Sequence, residues 1–250
     1  MGLFSEFVSS LKNAAVSVGN AIVDGVIKAV DCTLQVCETV ATVTADACHW
    51  VRDKIREWPS PNPPTDPVPS SVKKADQPLV DNSIHAIREH FPAGVIETAI
   101  NSNPEDRKKK IEELVPIAAL AMGIKNPPEL EFFFPDSIEQ MNSLCGGYRH
   151  KDNTLRLNLA MIVSGEPELF REQVSTIFHE LVHTRQHEAV SALADGKPYE
   201  EYGYSVDYLQ VMAENMLNYV AYGENYEAYT KQPIEAEAFW FEEQIKPYFN

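Results

Sequence analysis

Six of the fourteen residues from Trp58 to Ser71 (WPSPNPPTDPVPSS) are proline. Each fixes φ and removes a backbone donor, so neither helix nor sheet can run through the stretch, and so dense a run is stiff and extended. Residues 58–72 therefore read as a linker. The rest of the 250-residue chain must fold on either side of it, as an N-terminal segment (1–57) and a C-terminal domain (73–250) near the modal size for one fold. The charge is divided unequally. Residues 1–57 hold five Lys/Arg and seven acids, whereas 73–250 hold sixteen against twenty-nine. A formal net charge of −16 repels phosphate backbones and argues against a nucleic-acid partner. The 44% hydrophobic content excludes wholesale disorder, and no charge-free apolar run reaches the roughly 18 residues that a membrane span needs.

In the N-terminal segment, Phe4, Val8, Leu11, Ala15, Val18, Ile22, Gly25 and Ala29 recur at 4-3-4-3 spacing, the narrow stripe of an amphipathic helix. Its small residues suit helix association or membrane-surface contact, although few Lys or Arg lie on its polar face. The opening residues have no cationic run ahead of the apolar ones, which fails the pattern of a secretory signal and points to synthesis in the cytoplasm. Cys32, Cys37, Cys48 and Cys145 read as reduced thiols, too few for a disulfide framework.

The C-terminal domain opens with two helical patterns, Val80–Asn101 and Asn103–Gly123. The second has Asn103 as its cap, Pro104 in its first turn and Gly123 as its stop. The period then changes. Glu129–Phe134 and Tyr148–Val163 read as strands or a hairpin, with Leu155, Leu157 and Leu159 alternating with polar residues. Helical patterns return at Glu168–Ala189, Tyr204–Tyr222 and Gln232–Tyr248. The fold class expected is α+β, mostly helical with a small sheet.

The most informative run is His179-Glu180-Leu181-Val182-His183, an HExxH inside a helical pattern. Residues i and i+4 share one helix face about 5–6 Å apart, so both imidazoles can converge on one metal ion, while Glu180 lies one step round the helix where a general base belongs. Seven His and twenty-five Glu in this chain make roughly 0.02 chance occurrences of the pattern. His187 lies about 9 Å along the axis from a metal centred between the pair and reads as a neighbour of the site or a solvent-facing residue. The third ligand is better sought at Tyr229–Ala238 (YTKQPIEAEA), where a proline starts a helix, alanines permit close packing, and Glu235 and Glu237 project near its first turn.

HExxH followed about fifty residues later by YxxxPxExEA resembles the zincin metallopeptidases of the Glu-ligand class, and is similar to zincin domains attached to bacterial toxins and delivered effectors. The resemblance spans roughly residues 129–245. It implies a zincin-like fold, one catalytic Zn²⁺ held by His179, His183 and Glu235, Glu180 as the base, and Ala238 at a small packing position, with Glu237 as the alternative ligand. Phe239 stands where related enzymes commonly carry an Asp that supports the ligands. Thr154–Ala160 resembles the edge strand that lines the zincin cleft, able to add an extended peptide. A tyrosine often stabilises the oxyanion in such sites, and Tyr229 and Tyr226 are placed for it.

The function expected is zinc-dependent hydrolysis of a protein or peptide, and the resemblance to toxin-attached domains implies a delivered effector exported by a specialised machine. The other reading is a non-catalytic zinc-containing binding module whose N-terminal helices recruit a partner or membrane. Retention of Glu180 favours the enzyme, because a structural site has no use for a base beside its ligands.

Overall fold

The polypeptide turns helical sooner after the prolines than the linker reading allows. The computed structural model describes residues 66–135, 145–221 and 225–249; the amphipathic segment 1–57, with the partner and membrane readings attached to it, lies outside the described residues. Helix α1 spans Ser70–His90. Asp66 accepts from the Val68 backbone at 3.0 Å, and Val68 and Val72 are buried, so the last residues of the supposed linker belong to the domain. Pro69 precedes the first turn, where a missing N–H costs nothing.

The helix expected over Val80–Asn101 is broken at Phe91–Gly94. Gly94 adopts φ 93°, and a second helix, α2, follows at Val95–Asn101. Pro92 and a left-handed glycine together stop a helix that periodicity alone would continue. Helix α3 runs Pro104–Ala121 as its caps dictate, with the Asn103 side chain accepting from Asp106 N at 2.9 Å.

The sheet has three strands, β1 (Glu129–Phe133), β2 (Gly146–Arg149) and β3 (Thr154–Asn158), in the order β1-β3-β2. β1 pairs parallel with β3, Glu129 opposite Thr154, and β2 pairs antiparallel with it, Gly146 opposite Leu157. The strand expected at the edge is therefore the central one. Thr154, Leu155, Leu157 and Asn158 are all buried, which a central strand covered on both faces requires. The chain leaves it through Asn158, whose side chain caps a short helix, α4 (Leu159–Val163), so Leu159 is not a strand residue.

Helix α5, Pro167–Ala194, is the axis of the domain. At 28 residues it is about 42 Å long, and fifteen of its side chains are buried. One end packs in the larger core with Leu155, Leu157, Phe170, Phe178 and Phe241; the other enters a second cluster with Val72, Tyr204, Leu209, Met212 and Ile234. Truncating a buried phenylalanine such as Phe178 costs about 3–5 kcal/mol, so the helix is held rigidly. After a 3₁₀ turn at Glu200–Tyr202 come α6 (Val206–Leu217, capped by Ser205), α7 (Tyr226–Thr230) and α8 (Pro233–Ile245). α8 packs against α5, as does β2. The domain is α+β, mostly helical. No helix among the described residues is long and apolar enough to cross a membrane.

Candidate metal centre

His179 and His183 occupy successive turns of α5, and Glu235 reaches them from the first turn of α8. Pro233 starts that helix, and Ala238, fully buried, keeps its face close to α5. Glu235 Oε2 lies 3.4 Å from His179 Nε2, and Glu235 Oε1 lies 3.4 Å from His183 Nε2. Potential ligand atoms of all three residues fall within 4.8 Å of one another. Two ligands of one tetrahedral ion with bonds of roughly 2.0–2.2 Å stand about 3.4 Å apart. Glu235 is 1% exposed, yet its Oε2 has no hydrogen-bond partner, the state of a donor atom reserved for a cation. The group can hold a metal ion.

Each histidine is fixed through its other nitrogen. His179 Nδ1 lies 3.1 Å from Glu242 Oε2, and Glu242 Oε1 accepts from Ser175 Oγ at 2.7 Å and pairs with Lys246 Nζ at 2.5 Å. His183 Nδ1 lies 2.9 Å from Gln186 Oε1, and Gln186 Nε2 donates to the Ile234 carbonyl at 3.0 Å, tying that ring to the start of α8. These contacts hold Nδ1–H as donor and turn Nε2 toward Glu235. Phe239 fills the place of the expected Asp with a ring edge-on to His179, centroids 4.8 Å apart. The supporting carboxylate comes instead from Glu242, one turn further on.

The electrostatics follow from this packing. Burial disfavours an imidazolium at His179, but the carboxylates of Glu235 and Glu242 beside it override that and carry the pKa up to about 10. His183 is raised by the same contest, with Glu235 as its main partner. Burial works against an ionised Glu235, yet the two imidazoles hold it well below the usual carboxylate range, and Glu242 is held down to about 2. The pocket is thus a preformed anionic cradle that demands positive charge, from protons or from a metal.

Glu180 is half-buried, and its Oε2 accepts from the Tyr148 backbone N–H of β2 at 2.7 Å. It opens on two cavities that meet over the triad. Tyr229 lines both, and burial together with Glu235 raises its pKa, so its hydroxyl stays a donor. Tyr226 stacks on Tyr229 with its own side 58% exposed. Sequence reasoning missed Tyr219, whose hydroxyl donates to Glu235 Oε1 at 2.8 Å. It lies in the loop after α6, where no periodicity marks it; Gln232 bonds both backbone groups of the adjacent Val220 and places it.

Glu237 does not join the triad. Two residues on from Glu235, it turns to the opposite face of α8, fully buried, and accepts from Tyr204 at 2.5 Å and Tyr208 at 3.3 Å. His187 is not a ligand either, as its distance along the helix requires. Rather than facing solvent, it stacks on His150, with centroids 4.7 Å apart and planes within 4°.

No protein-family model matches the chain, and neither the curated proteins nor the solved structures give a match.

Proposed function

We propose that this chain is a zinc-dependent peptidase of the zincin type. The observation that carries the reading is the convergence of His179 Nε2 and His183 Nε2 on a buried Glu235 whose Oε2 lacks a hydrogen-bond partner, with Glu180 opening on the same cleft. Two nitrogens and one carboxylate oxygen from protein are the donor set of a catalytic zinc, which keeps its fourth position open, and not the closed four-ligand set of a structural one. When bound, zinc supplies Lewis acidity, lowering the pKa of a water and polarising a carbonyl.

The chain's own residues do the rest. Glu180 takes the proton from the attacking water and returns it to the leaving amine. The Tyr148 N–H fixes one oxygen of Glu180, so the carboxylate keeps its aim while it gains and loses that proton. Tyr229, kept protonated on the wall of the cleft, is the donor that would turn to the developing oxyanion. His179, His183 and Glu235 hold their geometry through Glu242, Gln186 and Tyr219.

Elemental analysis of metal-replete protein tests this directly. About one zinc per chain is expected, lost in His183→Ala and Glu235→Ala. Glu180→Gln is expected to keep its zinc and lose peptide hydrolysis by roughly 10²–10⁴-fold. Equal hydrolysis by Glu180→Gln and wild type would refute the mechanism, and absence of zinc from replete wild type would refute the centre.

A further inference from the structure

The side chain that opens α8 makes no bond to the helix it precedes. Gln232 stands at the N-cap with extended backbone (φ −62°, ψ 136°), where a Ser, Thr, Asp or Asn would accept from its own first turn, yet it makes no such cap bond. Its carboxamide is buried and turned instead to the chain around two tyrosines. Oε1 accepts from Val220 N at 2.8 Å and from Asn215 Nδ2 at 2.8 Å; Nε2 donates to the Val220 carbonyl at 2.9 Å and to the Tyr229 carbonyl at 3.3 Å. Two bonds accepted and two donated use the full hydrogen-bonding capacity of a carboxamide.

The cap that Gln232 withholds is supplied from α6. Asn215, in the last turn of that helix, accepts from Ile234 N at 3.3 Å while its Nδ2 donates to Gln232, so the end of α6 and the start of α8 are bonded in both directions. The segment between them closes into a ring. From Gln232 the bonds run to Val220, along the backbone to Tyr219, from its hydroxyl to Glu235 Oε1 at 2.8 Å, and back through the first turn of α8. A second arm runs to the carbonyl of Tyr229, whose side chain lines both cavities over the triad. The two tyrosine rings meet edge to face, with centroids 6.2 Å apart. Starting α8 requires none of this: a serine at position 232 could cap the helix with its own hydroxyl, and both backbone groups of Val220 would lose their partner.

We propose that Gln232 is a positioning residue of the centre, holding the Tyr219 hydroxyl on Glu235 and the Tyr229 side chain over the cleft. The Tyr219 arm concerns the His179, His183 and Glu235 group alone; the Tyr229 arm rests on the peptidase reading, and the test separates the two. The full chain is compared as wild type, Gln232→Met, Tyr219→Phe and the double variant. Methionine keeps the length of glutamine and fills its place without making its hydrogen bonds. Zinc release from the loaded proteins is timed by capture with a chromogenic chelator, and kcat and KM are measured on one peptide that wild type cleaves.

Gln232→Met and Tyr219→Phe are each expected to speed zinc release on the order of tenfold. The double variant should release zinc no faster than either alone, because both substitutions remove the same restraint on Glu235. On the peptide, Gln232→Met is expected to lower kcat about 10²-fold with KM little changed, as a donor displaced by about 1 Å would. A residue that only stabilised the fold would leave the kcat of the folded protein unchanged, and its effect would multiply with that of Tyr219→Phe. Should Gln232→Met fold poorly, Gln232→Glu, which keeps both accepted bonds and loses both donated ones, replaces it with the same expectations. Zinc release at the wild-type rate, or effects that multiply in the double variant, would overturn the positioning role. An unchanged kcat would overturn the arm through Tyr229. A wild type that holds zinc and cuts no peptide would overturn the peptidase reading, and the zinc-release cycle would still decide the role of Gln232.

Discussion

A histidine serves a metal well only when its second nitrogen is held, and the two histidines of the candidate centre are held by unlike groups. His183 has a neutral amide, Gln186, and His179 has a carboxylate, Glu242, itself shared with Ser175 and Lys246. A carboxylate raises the basicity of its imidazole more than an amide does, so Glu242 is the partner whose loss should be felt more. Glu242→Ala is expected to weaken zinc binding by about 10–100-fold, read by competition with a chromogenic chelator. Gln186→Ala should fall short of that. The grouping of His179 with His183 was legible in the sequence because i,i+4 spacing is local, and the approach of Glu235 because a proline-started helix with small residues announces close packing. Glu242 was not. Its partnership with His179 spans 63 residues and depends on how α8 packs on α5, which no spacing along the chain encodes.

Most elements were also visible from the chain, Asn103 and Pro104 opening α3 and the alternation at Thr154–Asn158 giving β3. Pairing order was not, because alternation gives a strand its faces and says nothing of its neighbours. The cleft-lining strand is β2, a four-residue edge whose Tyr148 N–H points at Glu180 instead of into the ladder. Its approach to β3 depends on Gly146, where an added Cβ would stand 2.6 Å from the Arg156 carbonyl oxygen. Gly146→Ala must therefore push β2 away from β3 at the point where the strand holds Glu180. Hydrolysis should fall at least tenfold with zinc content unchanged, at a stability cost of about 1–3 kcal/mol. Assays of peptide cleavage, zinc content and urea midpoint on the same preparation separate these effects; a variant with wild-type turnover would remove β2 from the placement of Glu180.

Across the whole domain, the helix that follows the prolines is fastened to both helices of the candidate centre by one buried junction. Asp76 of α1 accepts from Arg185 of α5 at 2.9 Å; Arg185 also donates to Tyr204, whose hydroxyl donates to Glu237 of α8. Two buried carboxylates thus share one guanidinium. Burial raises both, and with Asp76 nearby Glu237 rises from 4.5 to about 8, so the pair keeps a proton at neutral pH. Between about pH 4.5 and 8 the folded chain holds a proton that the unfolded chain has released, so this junction's contribution is full below about 4.5 and lost by about 8. Stability must fall with rising pH across that window. Glu237→Gln, which keeps the shape and abolishes the titration, removes the slope. The difference in unfolding free energy between wild type and variant, measured by urea denaturation in excess chelator, should therefore shift against wild type by on the order of a few kcal/mol from pH 4.5 to 8. Comparing the two proteins cancels the titration of the metal ligands, which both retain. A difference that stays flat would mean that Arg185 neutralises both carboxylates and that no proton is stored beneath the metal centre.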